Sequence, residues 1–487
     1  MWQVTYHLKP LSYPGFNFGM RSMAFQCEHP PFLKEANGFY ATTLLNVPAF
    51  REEPYMPPED AVKAWMLIYY EADHKLDAAK FWKEQGKTDY QRFKPLMKAD
   101  SAVKNMAQEV SAEGKTAEDK LRLLDGYCRT KVKNVWNRSS EMTAEQKKQV
   151  KENKNPGDTL KQMAGTGMDV ALLFGAMAQS LGMDVRMARV PDRNDAYFMP
   201  QRTTTYFMQN MDVAVNVDGK WRFYDPQTSF LERGFLRWQE EGQQALVSDP
   251  KEGFFVATQY SEPAKSMRRR RGTFSLREDG TLEGSVVYEY TGHVARGERT
   301  RVAEMSASQR EEDWKESLVN RLSTAQLSDL QFKNLEDADK PLSVTHKISV
   351  PGYAIRTGKR ILLQPAFFER NFAARFTEAT RKYDVSFNFP WSETDDITIQ
   401  LPEGWELDQP SSPGAMNIAN VGKYESGLRK TTDGRTLFFH RQFEWGYEMR
   451  LLFPAASYPQ LKKVFEDIHT LDSHGVTLKP AAVTGAK

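Results

Sequence analysis

The sequence predicts an α+β multidomain protein in which an N-terminal partial β-sandwich, a central α+β core and a C-terminal antiparallel β domain follow one another. Three observations carry this prediction. Aromatic and β-branched residues alternate with Pro, Gly and Asn over residues 1–72, and strand pairs flank Asp279-Gly280 and Asp433-Gly434. An apolar repeat of three and four residues takes over from Lys75 to about Trp136, and a continuous apolar run follows from Val170 to Leu181. Two alternating runs, MDVAVNV and KWRFYD, flank Asp218-Gly219, the pair that a two-residue type I′ hairpin prefers.

At 487 residues the chain exceeds one ordinary core, and three units are expected, over 1–72, 73–262 and 263–487. The first reads as short strands, WQVTYHL and NGFYATTLLNV, joined by turns. Opening directly in strand-like sequence, it is either an incomplete sandwich or one whose start lies upstream. In the second unit Leu76, Ala79, Phe81 and Trp82, then Leu121, Leu124, Tyr127, Cys128 and Val132, recur at helical spacing. Ser139 to Asp158 is almost wholly polar and ends in Asn155-Pro156-Gly157-Asp158, a loop with Asp158 as candidate N-cap. Val170 to Leu181 reads as a buried helix stopped by Gly182, and Met183 to Val190 as a strand. The third unit has strand pairs around Asp279-Gly280 and Asp433-Gly434, a helical stretch from Ala307 to Thr324, and Trp405 and Trp445 in its core. A last amphipathic helix runs from Pro459 to Leu471, with Leu461, Val464, Phe465 and Ile468 on one face.

Composition narrows the function classes. With 40% apolar and 12% aromatic residues the chain has the material for packed cores and is not globally disordered. The 66 basic residues nearly cancel 64 acidic ones, leaving +2, so no strong field marks a nucleic-acid or membrane-surface partner. Arg268 to Arg271 lacks interleaved aromatics and reads as a solvated linker. No apolar run approaches the roughly 20 residues of a membrane-spanning helix. The opening MWQVTYHLKPLSYPGF lacks the basic and apolar regions of a secretory signal. Two cysteines, Cys27 and Cys128, are too few for a disulfide framework or a cysteine-rich zinc site. H-E-x-x-H is absent, and Glu393-Thr394-Asp395-Asp396 reads as a loop cap rather than a calcium site, so no metal and no cofactor are expected.

The segment GTGMDVALLFGAMAQSLGMDVRMARV invites a dinucleotide reading, but the third glycine of G-x-G-x-x-G falls on Val170 and no strand pattern precedes Gly165. The segment instead resembles the surroundings of the nucleophile in transglutaminase-like proteins, where G-x-C-x-D-x-A opens a buried helix followed by L-G-x-x-x-R and a strand. Gly165, Asp169, Ala171, Leu172, Leu173, Leu181, Gly182 and Arg186 match, and downstream Asp218, Gly219, Lys220, Trp221, Asp225 and Pro226 match the family's D-G-K-W and D-P at their spacing. The resemblance is to the bacterial subset in which a β-sandwich precedes the core, and Asn46 to Pro58 looks like the end of that sandwich. It implies an exported or periplasmic location, for which this chain shows no signal.

Carried over residue by residue, the resemblance places the family's cysteine at Gly167, its histidine at Asn210 and its aspartate at Asp225. Met168, Asp169, Asp212 and Trp221 become candidate cleft-lining residues. In the family's chemistry a thiolate attacks an amide or ester carbonyl, the imidazole exchanges the proton, and the aspartate holds the imidazole. Glycine offers no nucleophile and asparagine does not titrate. The eight histidines are His7, His29, His74, His293, His346, His440, His469 and His474, and none lies between residues 75 and 292, so a rescuing imidazole must come from another unit. The resemblance therefore implies a non-catalytic module that binds an extended polypeptide or envelope polymer, or acts as a scaffold. The alternative is a thiol-dependent protease or acyltransferase with displaced catalytic residues. The hairpin further predicts Asp212 opposite Asp225, Asn210 on the same face, and Gly167 facing the pair.

Overall fold

Alternation in the first 72 residues produces two small antiparallel sheets. Tyr40–Leu45 pairs with Gln3–Leu8 and Leu33–Lys34, while Phe18–Phe25 pairs with Trp65–Ala72. The computed structural model describes residues 3–10, 18–28, 30–72, 77–136, 142–408 and 411–481. The expectations attached to Lys75, Leu76, Ser139, His29 and His74 fall outside them. Residues 46–58 form no strand and run to the C-terminal part of the chain. There Tyr55 meets Phe376 and Phe387 at ring separations of 5.5 and 5.4 Å, and Glu53 accepts from the backbone N–H groups of Lys382 and Tyr383 at 2.9 and 3.1 Å.

Three helices follow, Ala78–Phe93, Ser101–Val110 and Ala117–Lys131, each begun by a side chain that accepts from the third helical amide: Asp77, Asp100 and Thr116. Asn155, not Asp158, caps the short helix Pro156–Gln162. The chain order Asn-Pro puts proline at the first helical position, where its missing N–H costs nothing. The apolar helix spans Gly167–Ser180 and begins before its apolar run, because Thr166 and Asp169 close a capping box. Every residue from Val170 to Ala178 is buried, which explains an apolar surface all the way round.

This helix lies on a five-stranded antiparallel sheet ordered Lys220–Tyr224, Asn210–Val217, Asp184–Val190, Gln244–Val247, Phe254–Ala257. Val217 pairs with Lys220 across a two-residue turn in which Asp218 has φ 50° and Gly219 φ 78°, the doubly left-handed geometry of a type I′ hairpin.

The C-terminal part holds an eight-stranded sheet with the order Gln326–Lys333, Leu342–Val350, Leu282–Tyr290, Met267–Leu276, Trp391–Gln400, Thr436–Trp445, Gly422–Lys430, Gly414–Ile418. It is antiparallel except at its centre, where Met267–Leu276 and Trp391–Gln400 run parallel. A four-stranded sheet, including Arg360–Leu363, Trp405–Asp408 and Val476–Pro480, covers one face, and Trp405, Ile361 and Leu478 share a core with Phe274 and Ile397. The terminal helix Tyr458–Asp472 buries Leu461, Phe465 and Ile468 beside Trp445, whose ring lies 4.9 Å from that of Phe465. Ahead of the expected helix, now Ala307–Arg321, stands another, Gly292–Val302, which sequence reading missed.

Two sequence assignments are corrected. Arg268 to Arg271 is not a linker and Glu393 to Asp396 is not a loop cap. Both lie in the central parallel pair, with Arg268 beside Glu393, Arg270 beside Asp395 and Arg271 beside Asp396. Arg270, only 5% exposed, donates to both oxygens of Asp395 at 2.6 and 2.8 Å and also to Glu369. Each run looks solvated alone because the charges that match it lie far away in sequence. Arg270→Met is therefore expected to lower the unfolding free energy in urea by roughly 3–5 kcal/mol, as for a broken buried pair. Arg269→Met, whose partner Asp396 is half exposed, should change it by about 0–1 kcal/mol.

Candidate functional site

The hairpin sets the geometry of the predicted site. Tyr224 pairs with Val213, so the next step of the register brings Asp225 beside Asp212. Met211, Val213, Val215 and Tyr224 pack in the core of the Gly167 helix, whereas Ala214 and Phe223 pack with Leu236 and Val247 on the other face. By alternation Asn210, Asp212 and Asp225 share that second face.

Glu240 and Arg237 reach this face from the irregular segment after Leu231. The Arg237 guanidinium pairs with Glu240, lies 3.5 Å from Asp225 Oδ2 and 3.7 Å from Asp192 Oδ2. Asp225 Oδ2 also accepts from the Thr228 hydroxyl at 2.5 Å. One carboxylate oxygen from each of Asp212, Asp225 and Glu240 lies within 4.8 Å of the others, and all three residues are fully buried. Asp212 Oδ1 and Oδ2, Asp225 Oδ1 and Glu240 Oε2 have no hydrogen-bond donor. Burial, then the neighbouring charges of Glu240 and Asp225, raises the Asp212 carboxyl well above its ordinary range. Burial and Asp225 push Glu240 up to about 7 against the opposing pull of Arg237. Three oxygen-donor residues in this arrangement are the group among the described residues that could hold a metal ion.

Gly167 meets the residue that follows Asp225-Pro226. At the start of its helix, an added Cβ would overlap the Gln227 carboxamide and lie 3.2 Å from Asn134 Nδ2. Gln227 is held there: its Nε2 donates to the Met211 carbonyl at 3.2 Å, and its own carbonyl accepts from Asn134 at 3.1 Å. The space beside Gly167 thus belongs to Gln227 and Asn134. Asn210 begins its strand with a buried Nδ2 that has no acceptor. Of the cleft candidates, Met168 packs on the helix core, Asp169 accepts from the Thr166 N–H and hydroxyl at 2.8 and 2.9 Å, and Trp221 packs on Phe254 at 5.8 Å. Asp212 alone of the four joins Asp225.

Among the described residues neither cysteine meets an imidazole. Cys128 is wholly buried with its thiol 3.9 Å from Met177 Sδ, and burial raises its pKa strongly. The Cys27 thiol lies 4.0 Å from the Trp65 carbonyl, and burial raises its pKa too. His293 does arrive from the C-terminal part, but Phe235, Phe389 and Glu241 surround its ring, with Nε2 3.1 Å from Glu241. Sequence reading missed Gln227, Arg237 and Glu240. The Arg-x-x-Glu spacing of the latter two was the sole local signal, and it lies in a segment without helical or strand period.

A cleft of about 380 Å³ opens near this region, lined by Glu59, Asp60, Asp192 and Asp195 with Tyr206, Phe207 and Gln209, the neighbour of Asn210. Burial, then Asp192, raises the Asp195 carboxyl, a sign of like charges gathered there.

The comparisons with known proteins give two kinds of likeness. A domain of unknown function with solved structure, DUF3858, matches residues 359–478, from the Arg360–Leu363 strand through the terminal helix. A crystal structure from Parabacteroides distasonis described as "a putative protease" aligns over 98% of this chain and 72% of that one, at 12% identity and a TM-score of 0.52. Another, from Cytophaga hutchinsonii and described as "a putative cysteine protease", aligns over 47% of this chain and 72% of that one, at 10% identity and a TM-score of 0.20. At 12% identity the first likeness shows the fold, an α+β architecture with C-terminal antiparallel strands. No curated protein matches the chain.

Two expected outcomes follow from this geometry. Gly167→Ala should drive Gln227 from the Met211 carbonyl and cost about 1 kcal/mol, and the double change with Gln227→Ala should be non-additive by a similar amount in a denaturation cycle. The pH test concerns Glu240, whose folded pKa of about 7 lies above its ordinary 4.5. Its neutral form is the one the fold favours, so its contribution is full below pH 4.5 and is lost as pH rises through about 7. With divalent ions chelated, the stability difference between wild type and Glu240→Gln should therefore turn against wild type across that window.

Proposed function

We propose that the protein is a non-catalytic transglutaminase-like module that binds a cationic stretch of an extended polypeptide. The observation that carries this reading is the occupied space at Gly167: the position that corresponds to the family's nucleophile has no side chain, and the Gln227 carboxamide fills the room a thiol would need. Asn210, at the position of the general base, cannot take up a proton near neutral pH. The two cysteines do not replace the nucleophile, because burial disfavours the thiolate of both.

The cleft supports the choice of ligand. Asp60 and Asp195 bring negative charge, with no cation among the described residues in an ion pair with their carboxylates, while Tyr206 and Phe207 supply the apolar wall on which a lysine or arginine stem can lie. In this reading Asp192 is shared with Arg237 and contributes less.

The second reading, a thiol-dependent amide-bond enzyme, is favoured by the structural likeness described as "a putative protease" and is separated by experiment. Fluorescent peptides carrying Lys-Lys or Arg-Lys steps should bind, weaken with salt, and lose about tenfold in affinity with Asp60→Asn and Asp195→Asn together, about 1.4 kcal/mol. Their Glu-rich counterparts should not bind. Electrophile labelling at pH 7 should leave Cys128 unmodified for as long as the chain stays folded. Fast labelling of either cysteine, with amide hydrolysis abolished by its change to Ser, would establish the enzyme instead.

A further inference from the structure

The buried carboxylates of Asp212, Asp225 and Glu240 take no part in the peptide-binding reading, since none reaches solvent. We propose that they form a site for one hard divalent cation, of the Ca²⁺, Mg²⁺ or Mn²⁺ class. At metal–oxygen distances of about 2.1–2.4 Å, two ligands of a single ion lie at most about 4.2–4.8 Å apart. One oxygen from each of the three residues lies within 4.8 Å of the other two. The set is within the reach of one ion.

Each of the three residues also carries at least one buried carboxylate oxygen without a hydrogen-bond donor. Arg237 engages Asp225 through Oδ2 and Glu240 through Oε1, which leaves Asp225 Oδ1 and Glu240 Oε2 buried without a donor. Asp212 is the more telling residue. It is completely enclosed, and neither of its oxygens has a hydrogen-bond donor. An ionised carboxylate in that position has lost its hydration and gained no hydrogen bond in return, a cost of several kcal/mol that the more distant Arg237 and Arg129 offset only in part and a bound cation would remove.

Charge counting leads to the same place. Five carboxylates gather here, those of Asp125, Asp192, Asp212, Asp225 and Glu240, against three guanidiniums, those of Arg129, Arg237 and Arg296. Arg129 is committed to Asp125 at 2.9 Å, and Arg296 enters from the Gly292–Val302 helix with its Nε unpaired. With Arg193 acting on Asp192 and Glu241 as well, carboxylates still outnumber guanidiniums around the trio, an excess that a divalent ion would reduce. No sulfur or imidazole belongs to the set, and donors of oxygen alone select a hard ion over zinc or copper.

Two protons, on Asp212 and Glu240, would neutralise the cluster equally well, and the experiment separates the two solutions. The full chain, stripped with chelator, is titrated calorimetrically with CaCl₂, MgCl₂ and MnCl₂ and melted with and without each ion. We expect one equivalent of at least one of these ions to bind, with release of protons and a rise in Tm. Asp212→Asn and Glu240→Gln should each weaken that binding at least tenfold. In chelator both variants should melt no lower than wild type, because a neutral carboxamide suits the site better than a bare charge. The proposal is overturned if wild type takes up none of the three ions at millimolar concentration, with Asp212→Asn merely flattening the pH dependence of stability, which identifies shared protons. It is equally overturned if an ion binds and its affinity survives both substitutions.

Discussion

The C-terminal half of the molecule depends on placing two guanidiniums, Arg270 and Arg441, out of water among four carboxylates. Arg270 holds Asp395 with two hydrogen bonds and also meets Glu369. Arg441 reaches Glu393 at 2.8 Å and Asp472 at 2.8 Å, and Asp472 accepts from the Tyr424 hydroxyl at 2.6 Å. Asp472 ends the terminal helix, Glu369 ends a 3₁₀ turn, and the remaining charged partners sit on three strands of the large sheet. Desolvating so many charges is tolerable only when each has its partners in place. The network therefore pins the register of the parallel pair, since a slip of one residue would turn Arg270 to the opposite face.

The central core solves a related problem differently. Around Asp212 and Asp225 the local guanidiniums do not match the carboxylates, and several buried oxygens lack donors. A sheet face that holds hydrophobic residues at Ala214 and Phe223 turns polar one step further along both strands. The Gly167 helix contributes to neither arrangement: it packs on the other face, and its start is closed by Gln227.

What the sequence disclosed and what it withheld differ by range. The Asp218-Gly219 hairpin was legible because its turn needs two left-handed residues and its flanks alternate, all within sixteen residues. The Gly167 helix was legible from its continuous apolar run. Arg268 to Arg271 misled because the carboxylate that binds Arg270 lies 125 residues away. Glu240 and Arg237 were silent because an irregular segment has no period to betray which side chains turn inward. Gln227 was silent for another reason: although it directly follows a matched Asp225-Pro226, nothing but three-dimensional proximity connects it to Gly167.

The parallel pairing at the middle of the large sheet also governs when the protein can become whole. Met267–Leu276 leaves the ribosome long before Trp391–Gln400, and it can meet its antiparallel neighbour Leu282–Tyr290 at once but must wait for the strand on its other edge. The four-stranded sheet waits longer still, because Val476–Pro480, made after both its neighbours, supplies the strand between Arg360–Leu363 and Trp405–Asp408. Pairings of such sequence separation form slowly, and an exposed strand edge in the interval is a template for joining other chains. Translation thus carries a nascent sheet whose central edge stays open, with Arg270 still hydrated, until Trp391–Gln400 has been made.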